Sequence, residues 1–591
     1  MESEKLILTE LDRTINKQKN STFLGKWCID EIELYKSLDN FNIIEYHWDD
    51  RNKLKKDYFY LEEIHKKLLN SLTATLNDYH KVNRSKRFWQ IILDPWLMDY
   101  VGIFYDRWES IRSASKRDKK FDVNFFEELN SLETAFSYQE LSRLARTHSW
   151  NHALYQRIIN FNFVDNFFIK INSKKFKTFD LMNLNKKKSS SIKMKIFIYL
   201  NLLYENIFSQ IFTKYKVIFI DSYFSTLGII KINLLFMQLP RNFTYIFNDD
   251  NKIEKYIDRN QLVIEFKAID RFEEFIKYFI RNDLPKSALE YHDYYINKID
   301  TIDINTKLIV SANSYWFSDI KKYWIAKKIS EGVKLITTDH GGSFPAYEEH
   351  FKFEENISDK RATWFSPWHD KHIQMPPGKL LYLKLIKDIV NFFTYKKYCS
   401  FIGYSGSSRW AHRATFYPLS YQALSVYELS MSLYSSLEDK IKKNVKIRPQ
   451  NQNGIDVKKL YEYKLGKEII SRKKNYYKFL FKSKIIVCLY PETTYSEAMA
   501  LHIPTILIYP EKYFERNEIS NELRIKMKNC NMLFSDPILA AKHINNIWSD
   551  PNIWWNEKET KLTRELFYKL AGKANDKSWS KKWKIFLENM Y

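Results

Sequence analysis

The stretch Lys484–Tyr509, KIIVCLYPETTYSEAMALHIPTILIY, decides how the chain is read. An apolar run, KIIVCL, ends at Tyr490-Pro491, and a second apolar run follows in IPTILIY. Runs of this kind bounded by turn signals read as strands buried on both faces. The hydroxyls Thr493 and Thr494 between them are suited to capping a helix. Strand, helix and strand in that order form the crossover unit of a parallel sheet. Outward from this unit, short β-branched runs recur with helical stretches between them. Asn42–Tyr46, Val217–Asp221, Leu308–Ser311, Val333–Thr337 and Thr363–Ser366 form one set. Cys399–Tyr404, Val445–Arg448, Ile485–Leu489, Thr505–Tyr509 and Met532–Ser535 form a second, which starts afresh after Met375-Pro-Pro-Gly378. Residues 51–80 and 88–150 carry aromatics at three- and four-residue spacing and read as helical. The expected class is α/β, in two lobes. Residues 1–380 form the first, with a helical elaboration over about 51–200, and 396–556 form the second. The last segment, 557–591, reads as helices that bury Trp579 and Trp583 and pack back toward the first lobe.

Composition narrows the functional classes. The 591 residues include only 12 glycines and 14 prolines, so neither a collagen-like nor a flexible low-complexity chain fits. No G-x-G-x-x-G is present, which excludes a dinucleotide-binding fingerprint. Where glycine is scarce, each position is informative, and Gly332, Gly341, Gly342, Gly378, Gly403 and Gly406 cluster within one region. The net charge of +23 points to an anionic partner: nucleic acid, a membrane surface or a phosphorylated substrate. Heavy use of Lys, Asn, Ile, Tyr and Phe is also what an AT-rich genome produces. No Arg-rich arm, zinc finger or RNA-stacking motif accompanies the charge, so nucleic acid is not expected. Four widely spaced cysteines without a C-x-x-C pair indicate a reducing compartment. The first residues, MESEKLILTELDRT, are charged where a signal peptide would be apolar. The most apolar long stretch, Val217–Leu239, is interrupted by Asp221 and Lys231 and reads as buried core rather than a bilayer span. The expected location is cytoplasmic, with a basic face able to rest on the inner surface of an anionic membrane. The tract NKKKSSSIKMK, 185–195, reads as a solvated loop.

Ligands of open α/β sheets bind beyond the carboxyl ends of the strands, so the loops after the strands matter most. Asp339-His340-Gly341-Gly342-Ser343 follows the strand VKLI. Its paired glycines let backbone N–H groups approach an anion, and Asp339 or His340 suits a general base. A tight turn with a hydrogen-bonded Asp would show the same pattern. Ser405-Gly406-Ser407-Ser408-Arg409 suits a phosphate cradle closed by a guanidinium, or equally a serine-rich surface turn. No G-K-[ST] follows, so it is not a Walker loop. In the opening stretch, Glu492, Thr493, Thr494 and Glu497 sit at a helix start, where N–H groups face a cleft and Glu497 can accept hydroxyl hydrogen bonds. Ordinary helix capping is the alternative. Arg448 is a further cation at a strand end, and His47, in His47-Trp48-Asp49-Asp50-Arg51, either faces the cleft or simply precedes a helix cap. His369 and His372 have a metal spacing but no third ligand nearby in sequence, and a Pro-flanked loop accounts for them.

With these motifs named, the chain resembles a known family. The pieces are Phe23–Cys28 (FLGKWC), YHWDDRNKLKKDYFYL (46–61), FWQIILDPWL (88–97) with Asp106-Arg107-Trp108, DHGGS (339–343) and PETTYSEAMALHIPTI (491–506). They look like the transferases of bacterial surface-carbohydrate biosynthesis, over nearly the whole chain and in the same order. The resemblance implies two Rossmann-like lobes of the GT-B type and transfer from a nucleotide-sugar donor without metal or cofactor. The family's Thr-Thr-x-x-Glu helix start is matched by Thr493, Thr494 and Glu497, and Ser405, Gly406, Ser407, Arg409, Arg448 and Glu492, singled out above from the residues themselves, would join them as donor contacts. Gly341, Gly342 and Ser343 would supply a backbone loop, and Asp339, or otherwise His47 or His340, the base. A glycan or lipid-linked glycan acceptor is implied as the partner. A CDP- or CMP-linked transferase acting on a polyol-phosphate, Kdo or sialic-acid-like donor is the alternative enzyme. A non-catalytic binder of polysaccharide or anionic lipid is the alternative of another class. The enzyme requires segments 339–343, 405–409 and 491–497 to converge on one cleft between lobes.

Overall fold

The structure is a computed structural model. It describes residues 4–591 except 14–20, 38–40, 174–213, 242, 244–245, 248–253, 343, 346, 348–351, 392–395, 405–407, 450–453, 472–474, 573 and 575.

The opening stretch folds as strand, helix and strand, but neither Thr493 nor Thr494 caps the helix: its N-cap is Glu492, without a side-chain cap bond, and the two hydroxyls bond to the Gly342 N–H and Tyr490 Oη instead. Strand β13 (Ser483–Cys488) leads into the helix Thr493–Ala500, which returns to β14 (Thr505–Ile508), parallel to β13. Both strands are almost wholly buried. With β11 (Tyr398–Ile402), β12 (Val445–Arg448) and β15 (Leu533–Phe534) they form a parallel sheet of order β12-β11-β13-β14-β15. The order reverses between β11 and β13. A crevice therefore opens beyond their carboxyl ends, the usual ligand position in such a sheet.

The α/β class with parallel sheets holds, and residues before about 380 contain two sheets. One comprises β6 (Lys214–Ile220), β7 (Asn305–Ser311), β8 (Lys334–Thr338), β9 (Lys360–Thr363) and β10 (His372–Gln374), all parallel and in sequential order. The other comprises β1 (Lys5–Ile7), β2 (Ser21–Phe23), β3 (Asn42–Ile43), β4 (Phe121–Phe126) and β5 (Phe167–Asn172), in the order β3-β2-β1-β4-β5. Phe121–Phe126 falls inside the range 88–150 expected to be helical. Its aromatics sit at i, i+4 and i+5 and imitate a helical stripe, while the pairing partners lie far away at β1 and β5. The strand expected at Thr363–Ser366 ends instead at Thr363, because the Trp364 N–H bonds to Asp339 rather than to a neighbouring strand.

Two long helices, Arg51–His80 and Lys86–Ser115, form the hairpin between these sheets. Asp50 caps the first by accepting from the N–H groups of Asn52 and Lys53, and Ser85 caps the second through the N–H of Phe88. The second helix is buried around nearly its whole circumference, which is why its sequence is apolar on every side. It serves as an axis: buried Arg107 joins Asp106, Asn151 and the carbonyl of Ala411, beyond β11. In chain order the sheets are the first (β1–β5), the second (β6–β10) and the third (β11–β15), and the closing helices lie between the last two. Helix Lys558–Leu570 meets the second sheet through Ser366 N–H to Leu570 O, and the third through Tyr568 Oη to Met499 O. Helix Trp579–Glu588 rests on the second, with Trp583 Nε1 donating to Pro376 O. All four cysteines are buried thiols.

Candidate active site

Strand β8 delivers Asp339 to the carboxyl edge of the second sheet. One of its carboxylate oxygens accepts from Arg361 Nη2 and the other from the Trp364 N–H, at 2.7 Å. Arg361 is fully buried, so this pair forms the floor of the loop. Buried Glu354 lies beside it and accepts from Trp316 Nε1 at 3.0 Å. Burial alone would raise the Glu354 carboxyl; His340 beside it and the charge of Arg361 outweigh that and hold it down to about 2. His340 Nε2 stands 3.8 Å from Glu354 Oε1, and its side chain is 37% exposed. The imidazole thus has a buried carboxylate behind it and open space in front. That space is a cavity of about 430 Å³ bordered by Tyr223, Asn313, Trp316, Phe317, Arg413 and Tyr417.

The glycines that follow His340 rest on the start of helix Thr493–Ala500. The Gly342 N–H donates to Thr493 Oγ1 at 3.0 Å, and Ser496 Oγ donates to Gly342 O at 3.0 Å. A Cβ on Gly341 would lie 2.0 Å from Thr493 Oγ1, and Gly342 has φ +101°, so both positions demand glycine, one for closeness and one for backbone angle. Glu492 points toward the same loop and accepts from buried Arg516 at 3.2 Å. Burial pushes its carboxyl up, against the pull of Arg516, Tyr417 and His340. Deeper in, Glu497 accepts from Tyr477 Oη at 3.1 Å and faces Lys379 Nζ at 3.2 Å. Thr494 Oγ1 pairs with Tyr490 Oη. Lys379 follows Gly378, whose missing Cβ would sit 2.7 Å from the Phe224 ring, and it lies 5.5 Å above the Tyr223 ring.

The structure thus brings residues 339–342 against 492–497. Ser343, Ser405, Gly406 and Ser407 lie outside the described residues. Arg409 turns toward the first sheet, pairing with Glu31 at 3.0 Å and His148 at 3.2 Å. Arg448 ends β12 with its guanidinium over the rings of Tyr476 and Phe479. His47 is buried behind the hairpin, its Nε2 3.2 Å from Asp106. For His369 and His372 the fold supplies the side chain that sequence spacing lacked. Glu355 accepts from His372 at 2.7 Å, and one ligand atom from each of the three falls within 4.8 Å of the others. That trio gathers where β10 begins, the end of the strand remote from the cleft. Sequence reasoning missed Glu354, Arg361, Lys379 and Arg516. Each is a charged residue in an ordinary helix, strand or loop, and only Lys379 had a sequence signal, the neighbouring Gly378.

The chain belongs to the LIC12162 family of transferases, which it matches over residues 4–587. Among solved structures it is similar to a CDPG-soaked wall teichoic acid polymerase TagF, at 13% identity and TM-score 0.28, over 51% of this chain and 75% of that one. No curated protein matches it.

Proposed function

We propose that this transferase moves a sugar from a nucleotide-sugar donor to a surface polysaccharide or lipid-linked glycan, with His340 taking the proton of the acceptor hydroxyl. One contact supports this most directly: the loop bearing His340 lies against the first turn of helix Thr493–Ala500, joining two sheet edges into a single cleft. A base must reach the reacting hydroxyl and hold a defined orientation. His340 satisfies both, being half open to the cavity and backed by Glu354. Asp339 does not, because both its oxygens are engaged by Arg361 and Trp364. In the transfer, the deprotonated acceptor oxygen bonds to the anomeric carbon. The bond from that carbon to the phosphate oxygen breaks, and its electron pair leaves with the nucleotide. The departing phosphate charge meets Lys379, Arg448 and the N–H groups at the helix start, with Glu497 placed for a ribose hydroxyl. This assignment leaves neutralisation to side chains and helix ends, without metal or cofactor. Contact with the inner face of an anionic membrane belongs to the same reading, given the net charge of +23.

Thermal shift with CMP, CDP, UDP and GDP tests the donor side. One base should stabilise the protein, and a response to cytidine nucleotides alone would select the CDP- or CMP-linked alternative. No shift with any nucleotide would sink the donor pocket and favour a non-catalytic binder. His340→Ala should keep the shift and lose nucleotide release from the matching nucleotide-sugar by roughly a hundredfold or more. Wild-type release in that variant would remove His340 as the base.

A further inference from the structure

We infer that the outer face of helix Thr226–Leu235 is a docking surface for an anionic membrane. The helix leaves the carboxyl end of β6 beside the cleft: Tyr223, three residues before it, lies 6.1 Å from the His340 ring. Ser225 caps it by accepting from the Gly228 N–H. Its sequence, TLGIIKINLL, is apolar on every side apart from Lys231 and Asn233, as in a helix surrounded by protein. Yet the described residues bury only one side. Ile232 and Asn233 are buried, and helix Trp579–Glu588 packs beneath. Leu227, Ile230, Leu234 and Met237 are 56%, 40%, 60% and 87% exposed. Spacings of three and four residues put Leu227, Ile230 and Leu234 in one stripe of the helix, and Met237 follows just beyond its end. A second helix, Leu383–Asn391, exposes Leu385, Ile386 and Ile389 at 56%, 43% and 61%. Leu381, two residues before that helix, packs at Gly228.

The charge around this face selects the partner. Segments 222–240, 379–391 and 576–591 border it; setting aside buried Lys387 and Lys379, which turns inward to Glu497, they hold six lysines against three acids. A second copy docking through the same face would set lysine against lysine across a two-fold axis. A bilayer rich in anionic headgroups complements the lysines and accepts the apolar stripe at its acyl boundary. Docked in this way, the helix would hold the cleft within about 15 Å of the membrane, the length of a ten-residue helix. An acceptor carried on a lipid would then reach His340 from the membrane side. That use rests on the proposed transfer; the surface itself does not.

Flotation of the full chain with phosphatidylcholine vesicles, with and without phosphatidylglycerol, tests the inference. The protein should float only with the anionic vesicles, and less as salt rises. Leu234→Glu and Met237→Glu change exposed positions and should keep the wild-type melting temperature while losing at least tenfold of the bound fraction. No flotation, or equal flotation of the variants, would overturn the proposal. So would a wild-type dimer, measured by light scattering, that the variants dissolve into monomers. The nucleotide thermal shift on the same variants separates the two readings. Docking without any shift would leave the surface standing and the transfer chemistry fallen, and a shift without docking the reverse.

Discussion

At the scale of single residues, the site divides labour between two neighbours that look interchangeable in sequence. Asp339 and His340 both sit at a strand tip, and either could serve as a base. Tertiary contacts separate them: Asp339 neutralises a buried guanidinium, and His340 keeps an open face. Removing one partner of a buried ion pair leaves the other charge uncompensated, which typically costs about 3–5 kcal/mol. Asp339→Asn should therefore act on stability, at roughly 3 kcal/mol in urea unfolding, since the amide oxygen still accepts one hydrogen bond. Glu354 predicts a pH dependence. Its folded pKa lies below the ordinary 4.5, at about 2, so its contribution is complete above pH 4.5 and is lost as pH falls toward 2. Urea midpoints measured down this range should fall in the wild type and fall less in Glu354→Gln. The same variant should shift the pH profile of nucleotide release, which a purely structural Glu354 would leave in place.

At the scale of elements, two short segments make the cleft: the loop after β8 and the first turn of the helix after β13. Their closeness depends on Gly341, where a Cβ would meet Thr493 Oγ1 at 2.0 Å. Gly341→Ala should force them apart, lowering both the melting temperature and the nucleotide shift. Thr493→Ala removes the obstructing hydroxyl, leaving the Thr493 Cβ at 3.3 Å from the new methyl. The double variant should recover most of the loss, a coupling that a double-mutant cycle reads directly. Additive losses would mean that the loop does not rest on the helix. Legibility varied with the same logic. β13, its helix and β14 were readable because each buried strand is a continuous apolar run. β1, β2 and β4 escaped because they are short, aromatic or interrupted by charge, and become strands only by pairing with distant segments.

At the scale of the molecule, the first sheet and its hairpin hold the third sheet through a few charged contacts. Arg51 makes a two-pronged contact with Glu515, both bonds at 2.7 Å, and also reaches Gln422. Arg51→Ala and Glu515→Ala should each lower the unfolding free energy. Their coupling should be about 1 kcal/mol, as expected of a well-formed, partly exposed pair. A coupling of zero would show that this pair does not help to join the first and third sheets. The exposed stripe of helix Thr226–Leu235 also belongs to this scale. The apolar stretch Val217–Leu239, which reads as buried core throughout, is core in its strand, Val217–Ile220, and beyond it at Ile232 and Phe236, while Leu227, Ile230, Leu234 and Met237 stay exposed. Hydropathy registers that side chains avoid water without registering what covers them, and no helix among the described residues is long and apolar enough to cross a membrane.

By itself the sequence determined the α/β class, the parallel crossover after β13, and two of the loops that meet in the cleft. These follow from local physics: continuous apolar runs bounded by turn signals, and a glycine pair, Gly341-Gly342, where closeness and backbone angle exclude a side chain. Tertiary structure alone decided that residues 1–380 contain two sheets. It alone decided that Arg409 faces Glu31, that Asp339 is held by Arg361, and that Glu354 stands behind His340. The partner of a charged side chain is chosen by which strands and helices come together, and that choice leaves no mark on the residues beside it in the chain.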